Sequence, residues 1–305
     1  MRWQIMLLAA LPLAANAQTD AGSKLDQIAW QEAGAIGKLG SVATLTVPTG
    51  CRFSDGEGAR LFAESQQNLP NPAAIGLLLC RVSTDTTSNP SLWFAEYSYS
   101  SDGYIKDAAD EKLDADAILS TVREATVQGN EQRRSRGWAT MEVTGWQRKP
   151  FYDPSTNNAT WALIGRSSDG SDAVNHRVRL LGRRGVLSIN MIADPSEYDV
   201  AVSDLDQVVA TTGYVSGERY AEFQEGDKIA EYGLTALIAG GAGAAAAKLG
   251  LFGKLWKLVA GIVLASWKLL AAAVVGLFGW VASLLKARVK PQGGGSQNDE
   301  PPPIP

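Results

Sequence analysis

Histidine is almost absent from these 305 residues: His176 stands alone, with two cysteines and four methionines. A zinc site built on imidazole would need other ligands, and Cys51 and Cys80 have no C-x-x-C spacing. No G-x-S-x-G elbow exposes a nucleophilic serine. Gly240-Gly241-Ala242-Gly243 is not followed by the Lys-Ser/Thr pair of a phosphate loop, so helix packing accounts for it better. No internal repeat is visible, and neither a metal nor a cofactor is expected.

Positive charge is also scarce where nucleic acid would require it. The chain totals −4; seven Lys or Arg against Asp299 and Glu300 give the tail from Lys248 +5, and Arg2 adds +1, leaving −10 between them. A field of that sign repels phosphates and argues against nucleic-acid binding. Two basic clusters survive within it: Arg133, Arg134 and Arg136, then Arg177, Arg179, Arg183 and Arg184. Solvated helix and hairpin charges explain them; the sharper reading is contact with a partner or anionic lipid.

What the chain has in plenty is apolar length at its ends. Residues 258–285 carry one charge, Lys268, and Lys286, Arg288 and Lys290 follow. Roughly 20 apolar residues suffice for a helix to cross a bilayer, which predicts a transmembrane helix over 258–286. Lys268 at mid-bilayer would cost roughly 2.5–3.5 kcal/mol. A span starting near Trp267 instead lets Lys268 and Lys286 reach opposite interfaces. At 100° per residue, Lys254, Lys257, Lys268 and Lys286 lie within about 60° of one another, beside Gly250, Gly261 and Gly279. Small residues admit a second helix backbone, so Gly240, Gly243, Gly261, Lys268 and Gly279 mark a face for self-association or a protein partner in the membrane.

At the other end, Arg2, an apolar core over 5–15 and Ala15-Asn16-Ala17 read as an export signal, with a mature start at Gln18. The expected organisation is a signal peptide (1–17), an exported domain (18–225), a Gly/Ala-rich membrane-proximal or inserted helix (226–257), the span (258–286) and a disordered tail (287–305). One span leaves Lys286, Arg288 and Lys290 in the cytoplasm, as the positive-inside bias prefers. A hairpin of 233–253 with 258–285, and a segment over 233–256 lying flat on the lipid, are the rivals. The place implied is the cytoplasmic membrane of a bacterium, with the globular part outside.

Within that part, a helix is predicted over 24–39 and a strand over 42–47. Pro48-Thr49-Gly50 signals a hairpin into 51–53. A helix over 57–68, strands over 75–82 and 92–100, and a long helix over 114–134 follow. Four strands come next, at 138–146, 159–164, 174–181 and 185–192, then a helix from Pro195-Ser196 to about Thr211. This is α+β with a largely antiparallel sheet and a few helices, followed by a C-terminal helical membrane segment. In an oxidising compartment Cys51 and Cys80 form either a disulfide, contributing about 3–4 kcal/mol by loop closure, or two small buried thiols.

Several motifs occur in order: Gly103-Tyr104-Ile105-Lys106-Asp107, Asn130 with Arg133 and Gly137, Gly145-Trp146, Pro150-Phe151-Tyr152-Asp153, and Leu181-Gly182-Arg183-Arg184-Gly185-Val186-Leu187. Gly217-Glu218-Arg219-Tyr220, Gly226-Asp227-Lys228, Tyr232-Gly233-Leu234, Gly240-Gly241 and Lys248-Leu249-Gly250-Leu251-Phe252 complete them. In this combination the chain resembles a bacterial family of membrane-anchored proteins of unknown function. The resemblance implies an exported N-terminal domain and a membrane-attached C-terminus, and carries over no catalytic residue.

The chemistry-bearing residues point the same way. Asp107, Asp110, Glu111, Asp114 and Asp116 lack the spacing of a calcium loop and read as a helix entrance. The nine tryptophans, with Tyr97, Tyr99, Tyr104 and Tyr152, fill a core or line a groove. The expectation is a non-catalytic binding or assembly module. Two alternatives stand beside it: an envelope enzyme joining Asp107, Asp110 or Asp153 to Arg177 or His176, or using Cys51; and a membrane oligomer held by the small-residue face.

Overall fold

The computed structural model describes residues 24–87, 90–106 and 111–240. The signal peptide, Asp107, Asp110, Gly243, Gly261, Lys268, Gly279 and the expected span lie outside them. Among the described residues no helix is long and apolar enough to cross a membrane.

The architecture is α+β, built on one large antiparallel sheet. In chain order the elements are β1 (Ile36–Leu39), β2 (Ala43–Thr46), β3 (Cys51–Asp55), α1 (Gly56–Ser65), β4 (Ala74–Arg81), β5 (Leu92–Ser100), α2 (Ala115–Ser135), β6 (Met141–Asp153), β7 (Asn158–Ser167), β8 (Asp172–Leu181), β9 (Val186–Ala193), α3 (Tyr198–Thr211), β10 (Gly213–Tyr214) and α4 (Leu234–Ala239). The large sheet runs β3-β4-β5-β9-β8-β7-β6, and β1-β2-β10 form a small second sheet. Strand composition and helix caps agree with these bounds. Asp55 opens α1 by accepting from the amides of Glu57 and Gly58, and Asp114 opens α2 by accepting from those of Asp116 and Ala117.

Two sequence expectations fail for one reason: the chain changes sheets early. The helix predicted over 24–39 is only a short turn, and β1 alternates exposed and buried residues, with Ile36 57% exposed rather than on an apolar helix face. Gly34, at φ 87°, turns the chain so that its amide and the Ala35 carbonyl bond Val47. The hairpin signalled by Pro48-Thr49-Gly50 is a corner: β2 pairs with β1 and β10, whereas β3 pairs with β4. Cys51 and Cys80 face each other in that β3–β4 register and are joined, S–S 2.00 Å. A third expectation is too short. β6 continues to Asp153, passing Pro150 with three register irregularities, which an edge strand tolerates.

One face of the large sheet is largely apolar. Phe53, Leu78, Trp93, Tyr97, Ile189 and Met191 pack there against the small sheet and against Tyr198, Ala201, Leu205 and Val208 of α3. The lone histidine belongs to this core. His176 is fully buried, with Nδ1 2.9 Å from the Tyr198 hydroxyl. The other face carries two separate apolar clusters. α1 places Ala59 and Phe62 over Leu77, with Phe94 and Leu79 beside them. α2 and α4 place Ile118, Val122, Leu234, Leu237 and Ile238 around Trp161 and Leu163.

α4 shows where the globular unit ends. The chain divides into compact units after Ala245, and the expected boundary at 225 falls inside the first. The strap over 216–240 is tied down along its length. Arg183 grips Asp227 through two hydrogen bonds, 2.6 and 3.0 Å, and Tyr104 exchanges backbone bonds with Lys228 and Ala230. Gly103, at φ 118°, lies so close to the strap that a Cβ would meet the Lys228 carbonyl at 2.7 Å. Glu111 then caps α4, accepting from the amides of Leu234 and Thr235.

Two predictions follow from this packing. Leu234 is 0% exposed, so Leu234→Ala should destabilise the folded domain by about 3 kcal/mol, read from its urea-unfolding midpoint. A residue bathed in lipid would show almost no such loss. Burial first, then the charge of Arg148, pulls the His176 imidazole from 6.5 down to about 4. The folded state therefore resists a proton that the unfolded state accepts. Its stabilisation is present above pH about 6.5 and falls away towards pH 4, by about 3 kcal/mol. Unfolding curves at pH 7, 5.5 and 4.5 should show this extra slope in the wild type and not in His176→Gln.

Candidate functional site

Side chains alternate along a strand, so each row across an antiparallel sheet presents one residue per strand to the same side. On the face shared by α1 and α2, one row reads Leu77, Glu96, Asn190, Arg177, Trp161 across β4, β5, β9, β8 and β7. The next reads Ala74, Ser98, Ser188, Arg179, Ala159. Both rows are apolar at their flanks, beneath the helices, and polar over the three central strands. The result is a polar patch between the helices, the basin, made by Glu96, Ser188, Asn190, Arg177 and Arg179, all half-buried, with Ser98 buried beside them.

The basin is positively biased. Arg179 lies over the Trp161 ring, 5.0 Å from its centroid, and donates to Asn190 Oδ1 at 3.1 Å. Burial and the neighbouring charge of Arg177 pull its guanidinium down to about 9, and burial lowers Arg177 as well. Among the described residues no carboxylate comes within ion-pair distance of either. The buried Arg177 Nε has no hydrogen-bond partner. The one acid in the rows, Glu96, accepts instead from Asn71 at 2.8 Å, and burial raises its carboxyl above the usual range.

The four arginines 177, 179, 183 and 184 thus divide into two pairs. Arg183 and Arg184 sit at the β8–β9 turn and are matched by Asp227 and Glu218. Arg183 holds the Asp227 carboxyl below the usual range through its hydrogen bonds. Arg177 and Arg179 alone enter the basin. Of the other cluster, Arg133 joins the end of α2 to the loop after α1, bonding the Gln67 carbonyl and Asn68 Oδ1.

Asp107 and Asp110 of the enzyme alternative lie outside the described residues, and its described members do not meet. His176 and Arg177 are neighbours on β8 and face opposite sides of the sheet. Asp153 is occupied by its own turn, accepting from Ser155 and Thr156. Cys51 is spent in the disulfide. Glu111 and Asp114 each cap a helix, and among the described residues no three His, Cys, Asp or Glu gather as metal ligands. Trp93, Trp161 and Tyr97 are core, while Tyr104 stacks on Tyr220 and Phe223 at 4.3 Å. Gly240 closes α4 at φ 140°. A concavity of about 620 Å³ lies at the disulfide edge, where Glu32, Arg52 and Arg81 are exposed.

Sequence reasoning had not singled out Glu96, Asn190, Ser98, Ser188 or Asn71. The signal was there in part: polar residues alternate with apolar ones at 96 and 98, at 188 and 190, and at 175, 177 and 179. Nothing local says that these three strands are neighbours.

No curated protein matches the chain. Among solved structures it is similar to cyanobacterial PsbP (CyanoP) from Synechocystis sp. PCC 6803. Identity there is 11% over 62% of this chain and 92% of that one, with a TM-score of 0.35. It is also similar to the Ran-binding protein Mog1p of Saccharomyces cerevisiae, at 12% identity over 65% and 99% of the two chains and a TM-score of 0.29. Residues 31–278 match the family described as protein of unknown function (DUF2167), a match that takes in the whole sheet, the basin and the strap. The chain belongs to that family.

Proposed function

We propose that this protein is a binding or assembly module of the bacterial envelope. In this reading it is exported by residues 1–17 and held on the outer side of the cytoplasmic membrane by the apolar tract over 258–286. The binding half rests on a single observation. The open face of the sheet, apolar under both flanking helices, is cationic and half-buried between them, with a guanidinium nitrogen left unbonded. A face built only for packing would continue the apolar rows across β9 and β8.

The anchoring half rests on the sequence: a small-x-small site after an apolar leader, and a C-terminal tract ending in a basic cluster. The packing of α4 favours one span over the hairpin. With Leu234, Leu237 and Ile238 buried in protein, only residues 240–253 would remain for a first inserted helix. That falls short of the roughly 20 a crossing requires.

Fractionation tests the location. The full chain, expressed in a bacterium, should sediment with membranes through high-salt and carbonate washes. Its mature N-terminus should be Gln18, and protease added to spheroplasts should digest the globular part. Recovery in the soluble fraction, or a globular part shielded until the cells are lysed, would overturn the reading.

A further inference from the structure

We infer that Arg177 and Arg179 form the binding site for a carboxylate group of a small organic acid, which deepens the reading of the basin as the module's binding surface.

The protein itself shows how its structural arginines are treated. Arg183, 10% exposed at its side chain, is met by both oxygens of Asp227; Arg166 is met by both oxygens of Asp172, and Arg184 by Glu218. Arg177 and Arg179, half-buried and two residues apart on one strand face, have no such acid among the described residues. Removing a charge from water without a partner is unfavourable, and two like charges side by side make it more so. The groups in reach are nearly all spoken for. Asn190 Oδ1 and the Val178 carbonyl take bonds from Arg179 Nη1, and Trp161 supports its plane. The buried Nε–H of Arg177 has no acceptor. A ligand that offers acceptors and no donors, with negative charge, completes the set, and a planar carboxylate fits a guanidinium fork through two parallel bonds.

Charge counting separates carboxylate from phosphate. Two guanidiniums and the nearby Glu96 leave the basin with one net positive charge, which a single negative charge neutralises. A phosphate dianion would overshoot that balance and face Glu96, whose carboxylate is held in place by Asn71.

Calorimetric titration of the full-length, detergent-purified protein tests this, with the monoanions propionate and acetate and with inorganic phosphate as probes, at constant ionic strength in chloride and at about pH 8, where phosphate is mainly the dianion. Propionate or acetate should bind saturably below about 10 mM. Arg177→Gln and Arg179→Gln should each weaken that binding by about tenfold or more, while Arg177→Lys, which keeps charge and loses the fork, should still weaken it severalfold. Glu96→Gln should tighten it, an outcome that a purely structural role for these residues would not give and that stands even if an arginine variant misfolds. The inference is overturned if the wild type shows no saturable carboxylate binding. It is equally overturned if phosphate binds in an Arg177-dependent way and carboxylates do not, or if Glu96→Gln leaves the affinity unchanged. Membrane retention of the same preparation is scored separately: anchored protein that ignores acetate and propionate sinks this inference alone, and soluble protein that binds them sinks only the location.

Discussion

Strand β8 cannot show two successive side chains to the same side, and most of what distinguishes this structure comes from that constraint. Val174, His176, Val178 and Leu180 go to the α3 face and are buried. Asn175, Arg177 and Arg179 go to the other and stay half-buried. Antiparallel pairing with β9 and β7 extends the division sideways, giving Leu187, Ile189 and Met191 to the core, and Ser188 and Asn190 to the basin. A one-residue slip would drive both arginines under α3 and bring Val178 and Leu180 out to the basin. Register is therefore held by the apolar side as firmly as in any sandwich core. The basin takes its precision from packing it has no part in.

The strap over 216–240 is the second fixed point. Its contacts gather the sequence motifs on which the family resemblance rests: Gly103 and Tyr104 against Lys228 and Ala230, Arg183 against Asp227, and Glu218 against Arg184. The Tyr220 hydroxyl donates to the Ile105 carbonyl at 2.7 Å. These residues hold one segment to the end of the sheet, so a motif list made of glycines, tyrosines and ion pairs describes architecture. The strap also brings Tyr232 near Arg179, its hydroxyl donating to Asp102. Basin and strap share a border.

Most of the strand and helix content was readable because it is locally encoded. Asp114 before an apolar period of 3.6 with arginines at its end specifies α2, and alternation over 174–181 specifies β8. What was not readable was pairing. Pro48-Thr49-Gly50 encodes a turn whether the next strand returns beside β2 or crosses to another sheet, and only the tertiary partners decide. The helix predicted over 24–39 came from apolar residues that fit period 3.6 by spacing, yet Gly34 and the bonds to Val47 select an extended path. The site was legible by half. Arg177 and Arg179 drew notice as part of a basic run, but the same run held Arg183 and Arg184, whose acids lie more than thirty residues away in sequence. Separating paired from unpaired arginines required the fold.

Charge ties the tail, the globule and the basin into one account. The part of the chain between residue 17 and Lys248 carries −10, so its far field repels polyanions and anionic lipid alike. That field is screened over about 8–10 Å in physiological salt, a distance beyond which only local groups decide. A small monoanion meets weak repulsion on approach and then two guanidiniums at close range. A nucleic acid or a phospholipid surface meets the repulsion many times over before any of its charges can reach β8. Under the proposed anchoring, the same field would hold an acidic globule off the lipid headgroups rather than pressed onto them, leaving the basin open to solutes. Under the proposed binding role, an acidic exterior around a cationic floor would act as a filter on ligand size and charge, set by composition at long range and by strand register at short range.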